Sequence, residues 1–138
     1  MVREFRFYLT KGDVRKQKPD RNLALAVLRD SMERLALCRS ISDKAKHKYV
    51  LENAYDAMRE AADSLLYLDG YKSYSHEASI SYLMGKGFSE SDILELDRFR
   101  KIRNGIKYYG GDCDEPDAKS AMKLSERIIE RISKLLAN

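Results

Sequence analysis

The 138-residue sequence has no tryptophan, two prolines, seven glycines and two histidines. So few helix-breaking residues favour long helices. No run of about 18 apolar residues occurs, which predicts no membrane-spanning helix, and the N-terminal stretch lacks the apolar core of a signal peptide. Two cysteines, Cys38 and Cys113, follow no metal or redox spacing. We interpret them as reduced thiols of a cytoplasmic protein.

Charged residues make up 35% of the chain, with 26 basic and 22 acidic side chains and a net charge of +4. That balance is too mild to indicate a nucleic-acid partner by itself, so the local distribution of charge matters more than the total. Hydrophobic residues make up 43%, enough for a real core. The length and the absence of an internal repeat predict one domain over residues 1–138.

Apolar residues recur every three or four positions in five segments, as in amphipathic helices. The pattern therefore predicts an all-α fold, an up-and-down bundle of about five helices over residues 20–137. The predicted helices begin near Asp20, Ser42, Ser75, Ser89 and Asp114, and the first four end near Ser40, Gly70, Met84 and Gly110.

Residues 1–19 form an N-terminal arm with a different pattern. Phe5, Phe7 and Leu9 alternate with polar or amphipathic residues, a period of two. This alternation is typical of a strand. The arm is predicted to be irregular or a short strand, packed on the domain or paired with the same segment of a second subunit.

The most informative segment is 98–110, in which five cations and no anion precede a Gly-Gly break. A helix C-terminus needs fewer cations than this. On an ideal helix Arg103 falls at the border of the apolar face, where its stem is sheltered and its guanidinium can meet a phosphate. Arg98 and Lys101 point to water. The alternative is a solvated cationic face paired with Asp97 or Glu95. Gly105 inside this helix indicates close backbone approach or a local distortion.

Several of these segments together resemble the HEPN superfamily of small prokaryotic helical bundles. The resemblance rests on 52–60, on 71–77, and above all on Arg103, Asn104 and Tyr108. It implies a homodimer whose equivalent motifs meet in a cleft. Many family members are metal-independent ribonucleases, and many are paired with a small nucleotidyltransferase as toxin and antitoxin. The family motif continues from the Arg to a His, and Tyr108 and Tyr109 occupy the matching positions.

The resemblance implies Arg103, Asn104 and Tyr108 as the catalytic set if the protein is an enzyme. Because tyrosine has a pKa near 10, it is a poor general base at neutral pH. We therefore expect a dimeric binding module without full ribonuclease activity that holds RNA, a nucleotide or a partner protein. The alternatives are an active ribonuclease or the partner subunit of a nucleotidyltransferase. No cofactor is expected. The ligand-binding candidates are Arg100, Arg103, Lys107, Tyr108, Tyr109 and His76.

His76 is the one histidine placed to take over proton transfer, although a structural role, with local hydrogen bonds or partial exposure at a helix start, is the favoured interpretation. His47 lies among lysines and is expected to be solvated. Two isolated histidines without a helical partner make no metal site.

Overall fold

The computed structural model describes residues 2–137, and within them six helices and two short strands. The all-α prediction is confirmed, with one helix more than expected and a minimal sheet. In chain order the elements are α1 Phe5–Lys11, β1 Val14–Lys16, α2 Arg21–Ile41, α3 His47–Asp69, β2 Tyr71–Ser73, α4 His76–Met84, α5 Glu90–Tyr109 and α6 Glu115–Ala137.

Helix α3 is the central element and packs against α2, α4, α5 and α6. Its middle is rich in alanine, and Ala54, Ala57, Ala61 and Ala62 are all fully buried. Small side chains allow neighbouring helices to approach the α3 backbone closely. The helices that pack on α3 therefore bring their polar residues against it.

The side chains that cap the helices explain where most of them begin. Asp20 accepts a hydrogen bond from the amide of Leu23, and Ser89 does the same for Asp92. These are N-caps of the expected type. The predicted start of α3 near Ser42 is wrong, because the amides of Lys44 and Ala45 bond to the carbonyl of Ile41. Residues 42–45 thus complete the end of α2, and α3 begins at His47.

The N-terminal arm differs from the prediction. Residues Phe5–Lys11 form a helix, not a strand. Tyr8 is buried and Phe5 and Leu9 are half-buried, a spacing of three and four, while Phe7 points outward. The arm does contain a strand, Val14–Lys16, but it pairs antiparallel with Tyr71–Ser73 of the same chain. The proposed pairing with a second subunit is therefore not needed to satisfy this strand.

The tyrosines before and within α4 pack mainly on the arm. The ring of Phe5 lies 5.3 Å from that of Tyr71 and 4.7 Å from that of Tyr82. Aromatic pairs at such distances stabilise a core. These two tyrosines therefore serve packing, whereas Tyr74 is 60% exposed.

Candidate functional site

Three charged residues lie along one side of α3, beside its alanine-rich face. Asp56, Arg59 and Asp63 follow one another at spacings of three and four, so they share one side of the helix. Nη1 of Arg59 lies 2.8 Å from Oδ2 of Asp63, and the hydroxyl of Ser79 on α4 donates to Oδ1 of Asp63 at 2.6 Å. Burial raises the pKa of Asp63, although the Ser79 bond and Arg59 act against this shift.

Arg103 lies inside the protein, where the sequence predicted a half-exposed position, and that prediction is wrong. Arg103 is 5% exposed, and its Nη2 lies 3.2 Å from Oδ1 of Asp56 on α3. Its Cζ lies 5.9 Å from the ring centre of Tyr55, and Nη1 donates to Oδ1 of Asn104 at 3.4 Å. Helix α3 covers the guanidinium, a tertiary contact that a helical wheel of α5 does not contain.

Two buried guanidinium donors of this region have no acceptor. Nε of Arg59 and Nε of Arg103 find no hydrogen-bond partner among the described residues. Oδ1 of Asp56 faces Arg103 without hydrogen-bond geometry, so the pair is electrostatic only. Unused buried N–H groups are uncommon and costly. Each of the two guanidinium groups nevertheless faces a carboxylate, Arg59 that of Asp63 and Arg103 that of Asp56.

Arg100 connects α4 and α5 at the rim of the same region. Its side chain is 14% exposed, with Nε 2.7 Å from Oδ1 of Asp97 and Nη1 3.6 Å from Oε1 of Glu77. Lys101 and Arg98 are more exposed and pair with Asp97 and Glu95. Arg98 and Lys101 thus fit the interpretation of a solvated face with local ion pairs, whereas Arg100 belongs to the interior of the site.

His76 lies at the first position of α4 and contacts α3. Its Nδ1 lies 3.1 Å from the hydroxyl of Tyr55, and the two rings stack with centres 5.9 Å apart and planes at 21°. Burial, followed by the charges of Arg59, Arg103, Arg100 and Lys107, lowers the pKa of His76 to about 4. The imidazole is therefore neutral at pH 7 and stands in a positive electrostatic field.

Tyr55 connects the two residues that the sequence analysis had considered separately. It is fully buried, with Arg103 and His76 each 5.9 Å from its ring centre. Burial raises its pKa well above the ordinary range, even though Arg59, Arg100 and Arg103 act in the opposite direction. The phenol thus keeps its proton, and the structure brings His76 to the same buried side chain as Arg103.

The end of α5 is much more open. Lys107, Tyr108 and Tyr109 are exposed, the two tyrosines by 64% and 84%. Within residues 2–137, Lys107 has no ion pair, and neither tyrosine has a hydrogen bond or ring contact. The amides of Gly110 and Gly111 both bond to the carbonyl of Gly105, which widens the last turn. These side chains are free to meet a ligand, but none is held in place.

We call the side chains that meet between α3, α4 and α5 the polar site. Its members are Tyr55, Asp56, Arg59, Asp63, His76, Ser79, Arg100, Arg103 and Lys107. Asp56, Asp63 and Ser79 were not predicted from the sequence. The sequence signal for the two aspartates was the charged triplet Asp56, Arg59 and Asp63, at spacings of three and four, in the alanine-rich segment of α3. Their pairing with α4 and α5 depends on tertiary packing.

Metal binding, reactive thiols and membrane-spanning helices find little support in the part of the chain that the structure describes. No three His, Cys, Asp or Glu side chains come together there as a metal-binding group. Both cysteines are free thiols, and burial raises the pKa of each to about 11. No helix among residues 2–137 is long and apolar enough to cross a bilayer.

Comparison with known proteins adds no assignment. Neither a protein-family model nor a curated protein matches this chain. The likeness to HEPN proteins therefore rests on the residues named above, and what it implies about function is a matter for proposal.

Proposed function

We propose that this protein is a homodimeric, HEPN-like module that binds RNA at the polar site without cleaving it. The observation that carries the proposal is that Arg103 faces the Tyr55 ring that stacks on His76, that Arg100 pairs with the adjacent Glu77, and that the exposed Lys107 lies one turn beyond Arg103 on α5. Lys107 is exposed and has no ion pair among residues 2–137, so it adds positive charge beside carboxylate-paired arginines, which favours an anionic group near the imidazole. Phosphate is the anion that an RNA backbone presents repeatedly.

The accessible groups of the polar site define how a phosphate would bind. Lys107 is exposed and unpaired among residues 2–137, and His76 and Asn104 are half-buried at the rim. Arg103 is too deep for direct contact while it faces Asp56. It contributes through its charge, and Lys107 makes the direct contact in this proposal.

Binding without cleavage follows from the state of the imidazole. A general base needs a pKa near the working pH, whereas the pKa of His76 is about 4 and its Nδ1 is engaged by Tyr55. Tyr108 is exposed and unconstrained, so it offers no positioned proton acceptor. We expect intact RNA after prolonged incubation with the protein, with and without EDTA. If the wild-type protein cleaved more RNA than the Arg103→Ala variant does, that result would favour the ribonuclease alternative.

The direct test is fluorescence polarisation with a labelled single-stranded RNA oligonucleotide. We expect affinity to fall steeply between about 50 and about 200 mM salt, as phosphate contacts require. Lys107→Gln should weaken binding about fivefold to tenfold, the effect of one charge contact of about 1 kcal/mol. Lys123→Gln is the matched control, because Lys123 is exposed on α6 and unpaired in the described chain.

Equal effects of the two lysine substitutions would contradict the proposed surface. No RNA binding even at low salt would favour the alternative in which the protein serves a partner such as a nucleotidyltransferase.

The dimer is proposed on an apolar groove next to the polar site. It has a volume of about 310 Å³ and is lined by Val2, Met84, Phe88, Glu90, Ile93, Leu94 and Asp97. Met84 and Leu94 are 41% and 45% exposed. Asp97 belongs to this groove and also holds Arg100, so a protein seated in the groove adjoins the polar site.

Charge on the two sides of the groove favours a second copy of the chain as its occupant. The adjoining surface at and before α1 carries three cations and one carboxylate, Arg3, Arg6, Lys11 and Glu4, whereas Glu90 lies on the α5 side. A two-fold axis through such a surface brings the basic side of one protomer against the acidic side of the other. The patch is thus electrostatically complementary to itself.

Sedimentation velocity tests the dimer. The unmodified protein should sediment as a dimer and the Leu94→Glu variant as a monomer. Leu37→Glu is the control, because Leu37 is 49% exposed on α2, away from the groove. A monomeric wild-type protein would contradict the proposal.

A further inference from the structure

Beyond the proposed RNA binding, on which it rests, the geometry of the Tyr55–His76 pair defines a chemical role for the imidazole. We propose that His76 is a fixed Nε2–H donor to a phosphate oxygen of the ligand, with Tyr55 as the residue that positions its ring and selects the tautomer.

The first step is the direction of the hydrogen bond between the two residues. Tyr55 is fully buried, and its hydroxyl has one hydrogen-bond partner among the described residues, Nδ1 of His76 at 3.1 Å. A buried hydroxyl proton without an acceptor is unfavourable. The hydroxyl therefore donates to Nδ1, which must be the unprotonated nitrogen of the ring.

The second step is the tautomer. A neutral imidazole carries one proton, and when Nδ1 accepts a hydrogen bond that proton is on Nε2. His76 is half-buried at the start of α4, and its Nε2, which has no hydrogen-bond partner among the described residues, is not one of the buried unsatisfied atoms, so this edge of the ring reaches the surface. The protein thus presents an N–H donor there, with its orientation fixed by the stacked ring of Tyr55.

The third step is the chemistry of the ligand. The charged groups around His76 come from α3, from α5 and from its own helix. The cations are Arg59, Arg100, Arg103 and Lys107. Carboxylates accompany three of them, Asp63 with Arg59, Asp56 with Arg103, and Asp97 and Glu77 with Arg100, so Lys107 is the cation without an ion pair among residues 2–137. Cations flank the donor on two sides, and Arg100 holds Glu77. A neutral acceptor could accept a hydrogen bond from Nε2–H but would gain nothing from the nearby positive charges. A phosphate oxyanion gains from both, so phosphate is the class of ligand that fits.

Proton uptake follows from binding. The cations disfavour a second proton on the free imidazole. A bound phosphate opposes these cations and raises the pKa of His76. The second proton goes to Nδ1, which then donates to the Tyr55 hydroxyl and leaves the hydroxyl proton without its acceptor, so Tyr55 acts against this uptake in the free and the bound protein alike. The pKa of His76 should rise on binding, and RNA affinity should increase as the pH falls below neutrality.

Long-range ¹H–¹⁵N NMR of the histidine rings tests the tautomer in the free protein. The chain has only one other histidine, His47, which serves as an internal reference. At pH 7 we expect His76 to be fully in the Nε2–H form, and the Tyr55→Phe variant to show a mixture of tautomers. An Nδ1–H form in the wild-type protein would overturn the inference whatever the RNA does.

Two side-chain replacements test the donor in the complex. In His76→Gln the amide nitrogen occupies nearly the position of Nε2, whereas in His76→Asn it occupies that of Nδ1. RNA affinity should stay within about threefold for His76→Gln and fall about tenfold for His76→Asn, the loss expected for one charge-assisted hydrogen bond. Equal losses in the two variants would overturn the donor role.

The two proposals fail in distinguishable ways. RNA binding that leaves the Nε2–H resonance and the pKa of His76 unchanged would overturn this inference and leave the binding function standing. Absence of RNA binding would overturn the proposed function, and the phosphate contact with it.

Discussion

Nη2 of Arg103 on α5 lies 3.2 Å from Oδ1 of Asp56 on α3, and the two side chains are only 6% and 15% exposed. The pair thus joins two helices in a region of low solvent access. Removing one member of a buried pair leaves the other charge unpaired, which costs far more than the net contribution of the pair. Arg103 consequently has a structural role. Any experiment on its function must therefore separate loss of stability from loss of binding.

A double-mutant cycle measures that role. We expect Arg103→Ala to lower the free energy of unfolding by about 3 kcal/mol. The coupling energy with Asp56→Ala should exceed about 1 kcal/mol, because the two side chains face each other. Lys134 and Glu130 form an exposed pair on α6, and their coupling should stay below about 0.5 kcal/mol. A coupling of the Arg103 pair no larger than this control would contradict the buried ion pair. Urea unfolding provides all the values.

The bond between Ser79 and Asp63 gives a second prediction about stability. Ser79 is 2% exposed, and its hydroxyl is 2.6 Å from Oδ1 of the half-buried Asp63. Ser79→Ala should cost about 1–3 kcal/mol, since it leaves a carboxylate oxygen without its donor. Ser120→Ala on the exposed face of α6 is the control and should change stability by less than about 0.5 kcal/mol. Indistinguishable unfolding midpoints for these two variants would contradict the bond.

The two glycines at 70 and 105 should respond in opposite directions to alanine. Gly70 has φ +90°, and an added Cβ would lie 2.8 Å from the carbonyl oxygen of Gln17, so Gly70→Ala is strained and should destabilise. An added Cβ at Gly105 would meet nothing within 4 Å. Gly105→Ala should therefore stabilise α5 by about 0.5–1 kcal/mol. Thermal unfolding compares both with the wild type, and destabilisation by Gly105→Ala would contradict the open helical environment described here.

The pKa of His76 makes stability depend on pH in a defined window. The pKa is about 4 in the folded protein against an ordinary value of 6.5. Between these values the unfolded chain takes up a proton that the folded protein does not, so stability falls as the pH drops from 6.5 toward 4. His76→Gln removes this contribution. The loss of unfolding free energy between pH 7 and about pH 5 should thus be larger for the wild type than for the variant. Equal losses would show that His76 is not held neutral.

Sequence periodicity was sufficient for the long helices because their apolar residues keep one spacing over many turns. It failed for α1, a helix of seven residues in which the outward-facing Phe7 produces a false alternation. The prediction of close backbone approach at Gly105 is wrong, because an added Cβ there would meet nothing within 4 Å. The tight contact lies at Gly111, where an added Cβ would be 3.0 Å from the carbonyl carbon and oxygen of Gly105.

The polar site was harder to predict, for a physical reason. The position of Arg103 at the edge of an apolar face is a property of α5 alone, whereas its burial comes from Tyr55 and Asp56 on α3. His76 was selected as the one available histidine. Its bond to Tyr55 across 21 positions of sequence depends on how α4 turns back onto α3. Neither the burial of Arg103 by α3 nor the bond between His76 and Tyr55 can be predicted from the geometry of a single helix.

The central claim is that RNA binds where His76, Asn104 and Lys107 meet the surface. Backbone amide chemical-shift mapping during titration with a single-stranded RNA oligonucleotide tests it most directly. We predict that the largest changes fall on these residues and their neighbours in α4 and α5, while the exposed lysines Lys119 and Lys123 on α6 stay unperturbed. Changes centred on α6, or spread evenly over all exposed lysines, would contradict it.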